Sequence, residues 1–366
     1  MKNKVSCVLL IVGFLLIVFL PHIVWPTAQV YLGNENLENR KLASMPNLDI
    51  DSIETYPREF ENYYNDHMPF RNQLVRLYNR TKYELFHEST NANVIIGKND
   101  WLFYGNPGDG KPIACYDGSL LLTQEQLETI AHNLTEARDA LAAQGTEFVL
   151  FIAPNKERVY SEYMPERYGQ PAQQCMVNQV VSYLRSETDI RVIYAYDALM
   201  EYRETCDELE LYYPMDTHWN TYGSYIGVRE LLNELDIHIP ALEQMETTRE
   251  ETGVGDLAVM LNIAGGIKRA EESKVHGYAS ADVVELENEF YGRIAYAVPE
   301  LPERKLFVKR DSFCTMMIPY LKAFFSDSLF VHNQSYDAEQ VWEYQPDVYV
   351  YETVERYIGN LQNPIL

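Results

Sequence analysis

The sequence predicts an α/β protein with a three-layer α/β/α domain around a mainly parallel central sheet. Two stretches in which a helical pattern leads into an apolar strand carry this prediction. A capping-box pattern at 123–126 opens a helix to about Ala143, and an apolar strand at 147–152 follows it. A second helix at 174–186 precedes a strand at 190–194. Helices that alternate with buried strands imply parallel strands covered on both faces.

Further strand patterns extend the sheet. Apolar runs predict three more strands, with helices between them, at 306–308, 329–331 and 348–351. Two shorter runs at 94–96 and 101–103, joined by a polar turn, predict a β-hairpin. We therefore expect one large domain over residues 91–366.

The amino-terminal segment predicts a membrane anchor. Lys2 and Lys4 precede an almost uncharged apolar run that ends near Trp25 and is long enough to cross a bilayer core. Basic residues favour the cytoplasmic side, so everything after residue 26 should lie outside the cytoplasm. We expect an uncleaved, single-pass signal anchor over 1–25. A cleaved signal peptide and a secreted protein are the alternative.

The segment between the anchor and the large domain predicts an extracytoplasmic arm with accessory helices. Residues 31–51 are polar and contain glycine, proline and asparagine, as is typical of an extended tether. Over 57–86 apolar and aromatic residues recur at helical spacing, and Pro69 divides this pattern into two helices. We assign 26–90 to this region.

Composition excludes some classes of function. The 366 residues include 46% hydrophobic side chains, which is typical of a folded chain. The formal net charge is -24, so the long-range field repels polyanions, and no nucleic-acid partner is expected.

The cysteines give no metal signature. Cys7 lies in the apolar run, and the other four, which allow three disulfide pairings or none, are Cys115, Cys175, Cys206 and Cys314. No pair has Cys-x-x-Cys spacing and no cluster of His and Cys suggests zinc. We expect neither a metal nor a cofactor.

Ser312 is the strongest candidate for a nucleophile. It follows a strand-like run from Lys305 and precedes an amphipathic run to about Phe325. A strand that turns into a helix at a serine lifts the hydroxyl to the edge of a sheet, where free N–H groups of the helix can bind an oxyanion. The Ser312 N–H and the side chain of Asn155 are candidates for those donors.

Asp216 and His218 supply the other groups that a serine nucleophile needs. Residues two apart in an extended segment point the same way. A histidine must accept the serine proton, and a carboxylate must orient and stabilise that imidazole. The sequence thus predicts a serine hydrolase or acyltransferase in which Ser312, His218 and Asp216 act together.

Simpler readings of these motifs remain open. Asp216 or Thr217 could be the N-cap of the helical pattern that follows, with His218 packing locally, and the pair at 311–312 could cap the next one. Cys314 is a weaker candidate nucleophile.

Three further residues near these motifs have alternative roles. Lys156 and Arg310 either bind an anionic sugar or lie at the surface. Trp219 either stacks on a sugar ring or belongs to the core.

The order of these motifs resembles the DHHW protein family and its relatives among the alginate O-acetyltransferase proteins, which have an SGNH-hydrolase-like domain. Asp216-Thr-His-Trp219 together with Arg310-Asp-Ser-Phe313 is the most specific part of the resemblance. The other matching segments lie at 38–40, 64–71, 96–103, 153–156 and 255–257. The resemblance implies that the Asp-x-His element precedes the serine, the reverse of the order in ordinary SGNH hydrolases. Arg310 stands where many SGNH enzymes have glycine, and Thr217 stands at the position of the first His of the DHHW motif.

Together these observations predict a membrane-anchored serine O-acyltransferase that moves an acetyl group to a polysaccharide hydroxyl through an acyl-serine intermediate. With water as acceptor the same site would be a carbohydrate acetylesterase, and a non-catalytic polysaccharide-binding envelope protein is the third possibility. Acetyl-CoA is cytoplasmic, so the acetyl group must be delivered across the membrane. The resemblance implies a membrane-bound O-acyltransferase partner as the donor.

Overall fold

The computed structural model of the protein describes residues 2–32, 41–50, 52–206, 209–251, 253–263, 271–279 and 281–366. The predicted motif at 38–40, and residues 33–40 and 51 of the polar segment predicted at 31–51, therefore lie outside the described residues. The chain forms two compact units, one of Met1–Thr90 with Leu261–Gly266 and one of Asn91–Met260 with Ile267–Leu366.

The first unit contains three helices: α1 (Lys2–Leu32), α2 (Tyr56–His67) and α3 (Arg71–Phe86). Helix α1 continues past its predicted end at Trp25, and it is long and apolar enough to cross a membrane. The break between α2 and α3 surrounds Pro69, as predicted. Within this unit the Trp25 ring packs edge-on against Phe70, with ring centroids 5.0 Å apart.

The second unit is built around a seven-stranded sheet in the order β4-β3-β11-β9-β10-β8-β7. Strands β4, β3, β11, β9 and β10 are parallel, and β8 and β7 add an antiparallel edge. This confirms the mainly parallel sheet. The bounds of these strands are β3 (Glu147–Ala153), β4 (Arg191–Tyr194), β7 (Val284–Asn288), β8 (Arg293–Ala297), β9 (Lys305–Arg310), β10 (Asp327–His332) and β11 (Val348–Val354).

Both faces of this sheet are covered, because successive side chains of a strand point to opposite sides. In β3, Val149 and Phe151 belong to one buried cluster, whereas Leu150 and Ile152 belong to the other. Helix α9 (Thr221–Glu234) contributes buried side chains to the first cluster. Helices α5 (Gln124–Ala142) and α7 (Met176–Glu187) contribute buried side chains to the second. The predicted three-layer α/β/α architecture is therefore confirmed.

The helices of this unit are α4 (Pro112–Tyr116), α5 (Gln124–Ala142), α6 (Lys156–Val159), α7 (Met176–Glu187), α8 (Tyr196–Thr205), α9 (Thr221–Glu234), α10 (Asp256–Met260), α11 (Ile318–Leu321) and α12 (Glu339–Tyr344). The capping box at the start of α5 is present, with Thr123 and Gln126 each bonded to the other's backbone N–H. Strands β1 (Val94–Ile96) and β2 (Leu102–Tyr104) form the predicted hairpin. A second, unpredicted antiparallel pair consists of β5 (Glu246–Glu251) and β6 (Glu271–His276), which are separated in the chain by α10.

The helix predicted after Ser312 is wrong. Only a short 3₁₀ segment, Phe313–Met316, follows the serine, and the four-residue α11 comes next. Pro319 lies in the first turn of α11, where its missing N–H is tolerated, but that residue cannot continue a helix begun upstream. No long helix therefore presents its amino terminus to the serine.

The cysteines of the described residues are free thiols: Cys7, Cys115, Cys175, Cys206 and Cys314. Burial raises the pKa of the Cys314 thiol well above its usual range. A thiol held in that state is a poor nucleophile. The structure therefore gives no support to Cys314 as an alternative to Ser312.

Candidate active site

The Asp-Ser turn lies at the carboxyl edge of the sheet, directly after β9. The Asp311 carboxylate accepts hydrogen bonds from the N–H groups of Phe313 (2.8 Å) and Val354 (2.7 Å), and so bridges the turn to the end of β11. Ser312 occupies the position that precedes the 3₁₀ segment, yet its hydroxyl makes no capping bond. Asp311 thus performs the capping that the sequence also allowed for Ser312, and the serine hydroxyl is left for another partner.

That partner is His218. The Ser312 Oγ lies 2.8 Å from His218 Nε2, and His218 Nδ1 lies 2.7 Å from Asp216 Oδ1. A carboxylate accepts protons in hydrogen bonds, so Nδ1 carries the proton and Nε2 faces the hydroxyl as an acceptor. The structure brings together the three residues that the sequence predicted, in the order hydroxyl, imidazole, carboxylate.

The loop that carries Asp216 and His218 is held by its own backbone. The His218 N–H donates to Asp216 Oδ1 at 2.9 Å, and the loop closes through a bridge between Tyr212 and Trp219. The N-cap of α9 is Asn220, whose side chain accepts the N–H groups of two residues in the first turn. The alternative in which Asp216 or Thr217 caps this helix is therefore wrong.

Asp256 is a site residue that the predicted set of catalytic residues did not include. Its N–H donates to Asp216 Oδ2 at 2.8 Å, and its carboxylate accepts both the N–H and the hydroxyl of Thr217. A Cβ on Gly255 would lie 2.2 Å from the Met215 carbonyl oxygen, so only glycine allows this close approach. The Gly-Asp-Leu segment at 255–257 was the sequence signal for this contact.

The pKa values of the two carboxylates shift in opposite directions. Burial by itself would raise the pKa of Asp216. The hydrogen bond and the charge of His218, together with backbone N–H groups, have the larger effect and lower this pKa to about 2. Burial and the charge of Asp216 raise the pKa of Asp256. Asp216 therefore stays ionised at neutral pH and can stabilise an imidazolium.

The same three side chains have the composition of a cation site. Asp216, His218 and Asp256 each offer a ligand atom, and these atoms lie within 4.8 Å of one another. However, the 2.7 Å separation of Nδ1 and Oδ1 is that of a hydrogen bond, which requires a proton on the nitrogen that a metal would need. The geometry favours proton transfer over metal binding.

Lys156 lies in the core beneath the site and not at the surface. It is 2% exposed, and its Nζ donates to the carbonyl oxygens of Leu102 (2.6 Å), Tyr213 (2.8 Å), Pro214 (2.7 Å) and Asp216 (2.8 Å). Both predicted roles, surface residue and ligand for an anionic sugar, are wrong because the ammonium group is enclosed by main-chain acceptors. Lys156 instead fixes the backbone of the loop that carries Asp216.

Arg310 and Trp219 are also buried. Arg310 is fully buried, and its guanidinium donates to the carbonyls of Phe290 and Asp311. Trp219 is fully buried and its indole N–H donates to the Phe313 carbonyl at 2.9 Å. Neither side chain has a surface that a glycan can reach, so their predicted contact with sugar is wrong. Trp219 instead ties the His218 loop to the Ser312 turn.

Asn155 follows β3 at the same edge of the sheet. Its N–H donates to Glu355 Oε2 at 2.9 Å, whereas its buried side-chain Oδ1 has no hydrogen-bond partner among the described residues. The Ser312 N–H also has no acceptor among the residues that the structure describes. The Ser312 N–H and the Nδ2 amide group of Asn155 stay candidates for oxyanion donors.

Comparison with protein families identifies this architecture. A family model described as an SGNH hydrolase-like domain of the acetyltransferase AlgX matches residues 94–285, which is more than half of the chain. A probable alginate O-acetylase AlgJ from Pseudomonas putida is 26% identical over 171 residues, which cover 47% of this chain and 41% of the relative. The chain therefore spans less than half of the length of that curated relative. The predicted family resemblance is confirmed.

A solved structure supports the fold, and a second one is similar to this chain. Bacillus cereus PatB1 with a sulfonyl adduct has a TM-score of 0.53 and 15% sequence identity, over 73% of this chain and 96% of that one. A DHHW family protein from Eubacterium siraeum has a TM-score of 0.49 and 12% identity, over 64% of this chain and 87% of that one.

We expect Lys156→Met to lower the free energy of unfolding of the full chain in detergent by roughly 3 kcal/mol or more. The reason is that the carbonyls of Leu102 and Asp216 lose the donor that Lys156 supplies, at about 1–3 kcal/mol for each group left unsatisfied, while those of Tyr213 and Pro214 keep a backbone N–H. Urea denaturation followed by near-UV circular dichroism measures the loss.

Lys309→Met is the matched control. Lys309 is also buried, but its amine donates to one carbonyl, that of Ile365 at 3.2 Å, and otherwise lies over the rings of Tyr336 and Tyr351. This variant should lose roughly 1–2 kcal/mol. Equal losses for the two substitutions would contradict the role assigned to Lys156.

Proposed function

Because the chain belongs to the family of SGNH hydrolase-like, AlgX-type acetyltransferase domains, we propose that it is a serine O-acetyltransferase that acts on polysaccharide hydroxyls. The observation that carries the proposal is the continuous contact from Ser312 Oγ through His218 to Asp216, with separations of 2.8 and 2.7 Å. The names of the curated relatives, probable alginate O-acetylases, support the choice of a polysaccharide as acceptor.

The reaction proceeds in two half-reactions. Ser312 Oγ attacks the acetyl carbonyl of the donor while His218 Nε2 takes the hydroxyl proton, and that proton then passes to the departing donor group. An acetyl-serine ester remains. A sugar hydroxyl next gives its proton to His218 and attacks this ester, and the same proton returns to Ser312 Oγ as it leaves. Asp216 holds the imidazole through Nδ1–H and stabilises its charged form in both halves.

The negative charge on the carbonyl oxygen of each tetrahedral intermediate needs fixed donors. The Ser312 N–H and the side-chain amide of Asn155 are the donors we assign to it. Both belong to segments that leave the carboxyl edge of the sheet, after β9 and β3 respectively.

The choice between transfer and hydrolysis depends on which molecule reaches the acetyl-serine. With water as acceptor, the same residues would make an acetylesterase. The proposed location outside the cytoplasm separates the site from acetyl-CoA, so a membrane-bound O-acyltransferase is the partner we propose as acetyl donor.

The membrane attachment is proposed from α1. Its apolar side chains are exposed along its length, and its 29-residue candidate span from Lys4 to Leu32 is long enough for a bilayer. Leu74, Leu77 and Tyr78 of α3 are exposed as well, on the side of that helix opposite the buried Asn79 and Tyr83. A protein kept at the membrane by an uncleaved anchor fits both features.

We predict that Ser312→Ala and His218→Ala each lower the hydrolysis of a small acetyl ester by at least about a thousandfold, because each removes a member of one proton-transfer unit. A fluorophosphonate probe should label the parent protein and fail to label Ser312→Ala. Ser186→Ala, at the exposed end of α7, is the matched control and should behave as the parent. Equal background rates in all variants, with no labelling, would favour the non-catalytic polysaccharide-binding alternative.

We predict that the protein made in its host stays in the membrane fraction after an alkaline wash and has an intact mass that includes residues 1–25. The apolar burial of α1 in lipid resists such a wash. A mature amino terminus near residue 26, with the protein in the soluble fraction, would instead establish a cleaved signal peptide.

A further inference from the structure

A guanidinium group lies beside the candidate site in a cage of aromatic rings. Arg356 follows the end of β11, and its Cζ lies 5.7 Å from the ring centroid of Tyr104, 5.2 Å from that of Phe313 and 5.0 Å from that of Tyr357. Its Nε is buried and has no hydrogen-bond acceptor among the described residues. No carboxylate among the described residues forms an ion pair with Arg356.

The cage is built by specific contacts. The carboxylate of Asp109 accepts the hydroxyl of Tyr104 at 2.9 Å and the hydroxyl of Tyr357 at 2.8 Å, and so holds the two rings that flank the guanidinium. Gly110 has a φ of +66°, and a Cβ there would lie 2.9 Å from Arg356 Cγ. The nearest loop is therefore shaped around the arginine, while the Asp109 carboxylate is occupied by hydroxyl groups.

Phe313 connects this cage to the candidate catalytic residues. Its ring centroid lies 4.9 Å from the His218 imidazole, and the same ring contacts Arg356. Phe313 directly follows Ser312 in the chain. The cage and the candidate catalytic residues thus share the Phe313 ring.

The guanidinium is only partly satisfied by the protein. Its buried Nε has no acceptor and no carboxylate among the described residues lies within ion-pair distance, although Asp311 and Glu157 act on it electrostatically. Burial by itself would lower the pKa of Arg356. Its interactions with Tyr357, Asp311 and Glu157 have the larger effect and raise this pKa, so the group stays charged. Tyr104 and Tyr357 are partly exposed, which leaves the cage accessible from solvent.

We propose that Arg356 is an anion-binding residue that holds a carboxylate or phosphate of the ligand whose hydroxyl or ester lies at Ser312. A guanidinium binds either oxyanion through paired N–H donors. Aromatic faces beside the cation suit the apolar face of a sugar ring. The anion site stands on its own contacts, whereas its use by an acetyl acceptor rests on the proposed function.

Calorimetric titration of the full-length Ser312→Ala protein in detergent tests the site without turnover. Three probes that share one sugar ring are used: methyl glucoside, methyl glucuronoside and methyl glucoside 6-phosphate. We expect at least tenfold tighter binding of one anionic probe than of the neutral one. The preferred anion then identifies whether the site takes a carboxylate or a phosphate.

The same titrations with Arg356→Gln and Arg356→Lys added identify the residue. The preference for an anion should disappear in Arg356→Gln and be weakened in Arg356→Lys, which keeps the charge but loses the paired donors. Arg167→Gln is the control, since Arg167 also stacks on a tyrosine, Tyr168 at 4.9 Å, but is exposed. This variant should retain the full preference.

Equal affinity for the three probes, absence of binding by both anionic probes, or a preference that survives Arg356→Gln would overturn the proposal. The comparison of probes on Ser312→Ala does not depend on the folding of any Arg356 variant. Anion binding by a protein without esterase activity or probe labelling would sustain the anion site and remove the proposed enzyme. Activity without a preference for charge would do the opposite.

Discussion

The candidate site depends on one buried ammonium group. Lys156 lies at the start of α6, and its four acceptors belong to the beginning of β2 and to the loop that ends at His218. Burial lowers the pKa of this amine to about 7, and the carbonyl oxygens take the place of the water that it has lost. The backbone of Asp216 is thereby fixed, and its carboxylate is placed against the His218 imidazole.

A second set of contacts fixes the nucleophile from the other side of the site. The Asp311 carboxylate accepts hydrogen bonds from two backbone N–H groups. The backbone N–H of Asp311 donates to Glu352 Oε2 at 2.9 Å. Burial and the charge of Asp311 raise the pKa of the fully buried Glu352 well above its usual range. The turn around Ser312 is thus held by side chains other than the serine, whose hydroxyl stays available to His218.

Several features could be read from residue patterns because local rules govern them. The capping box before α5, the break at Pro69 and the apolar strands β3, β9 and β11 follow from short-range hydrogen bonding, the missing proline N–H and side-chain alternation. The prediction of a helix directly after Ser312 was wrong, because the spacing of apolar residues does not show that a new helix has to begin at Pro319. The exposed or sugar-binding roles of Lys156, Arg310 and Trp219 failed because hydropathy cannot tell a buried polar group with partners from a surface one.

The sequence by itself determined the alternation of helices and strands and the choice of Ser312, His218 and Asp216, since the spacing of an Asp-x-His pair and an Asp-Ser turn is local information. Only the tertiary structure decided that these two segments meet. They are 94 residues apart between His218 and Ser312, and they join because Lys156, just after β3, and the Trp219–Phe313 hydrogen bond hold the His218 loop at the edge of the sheet where β9 ends. It also decided the supporting roles of Lys156 and Asp256 and the aromatic cage of Arg356, because each of these is defined by partners that are distant in the chain.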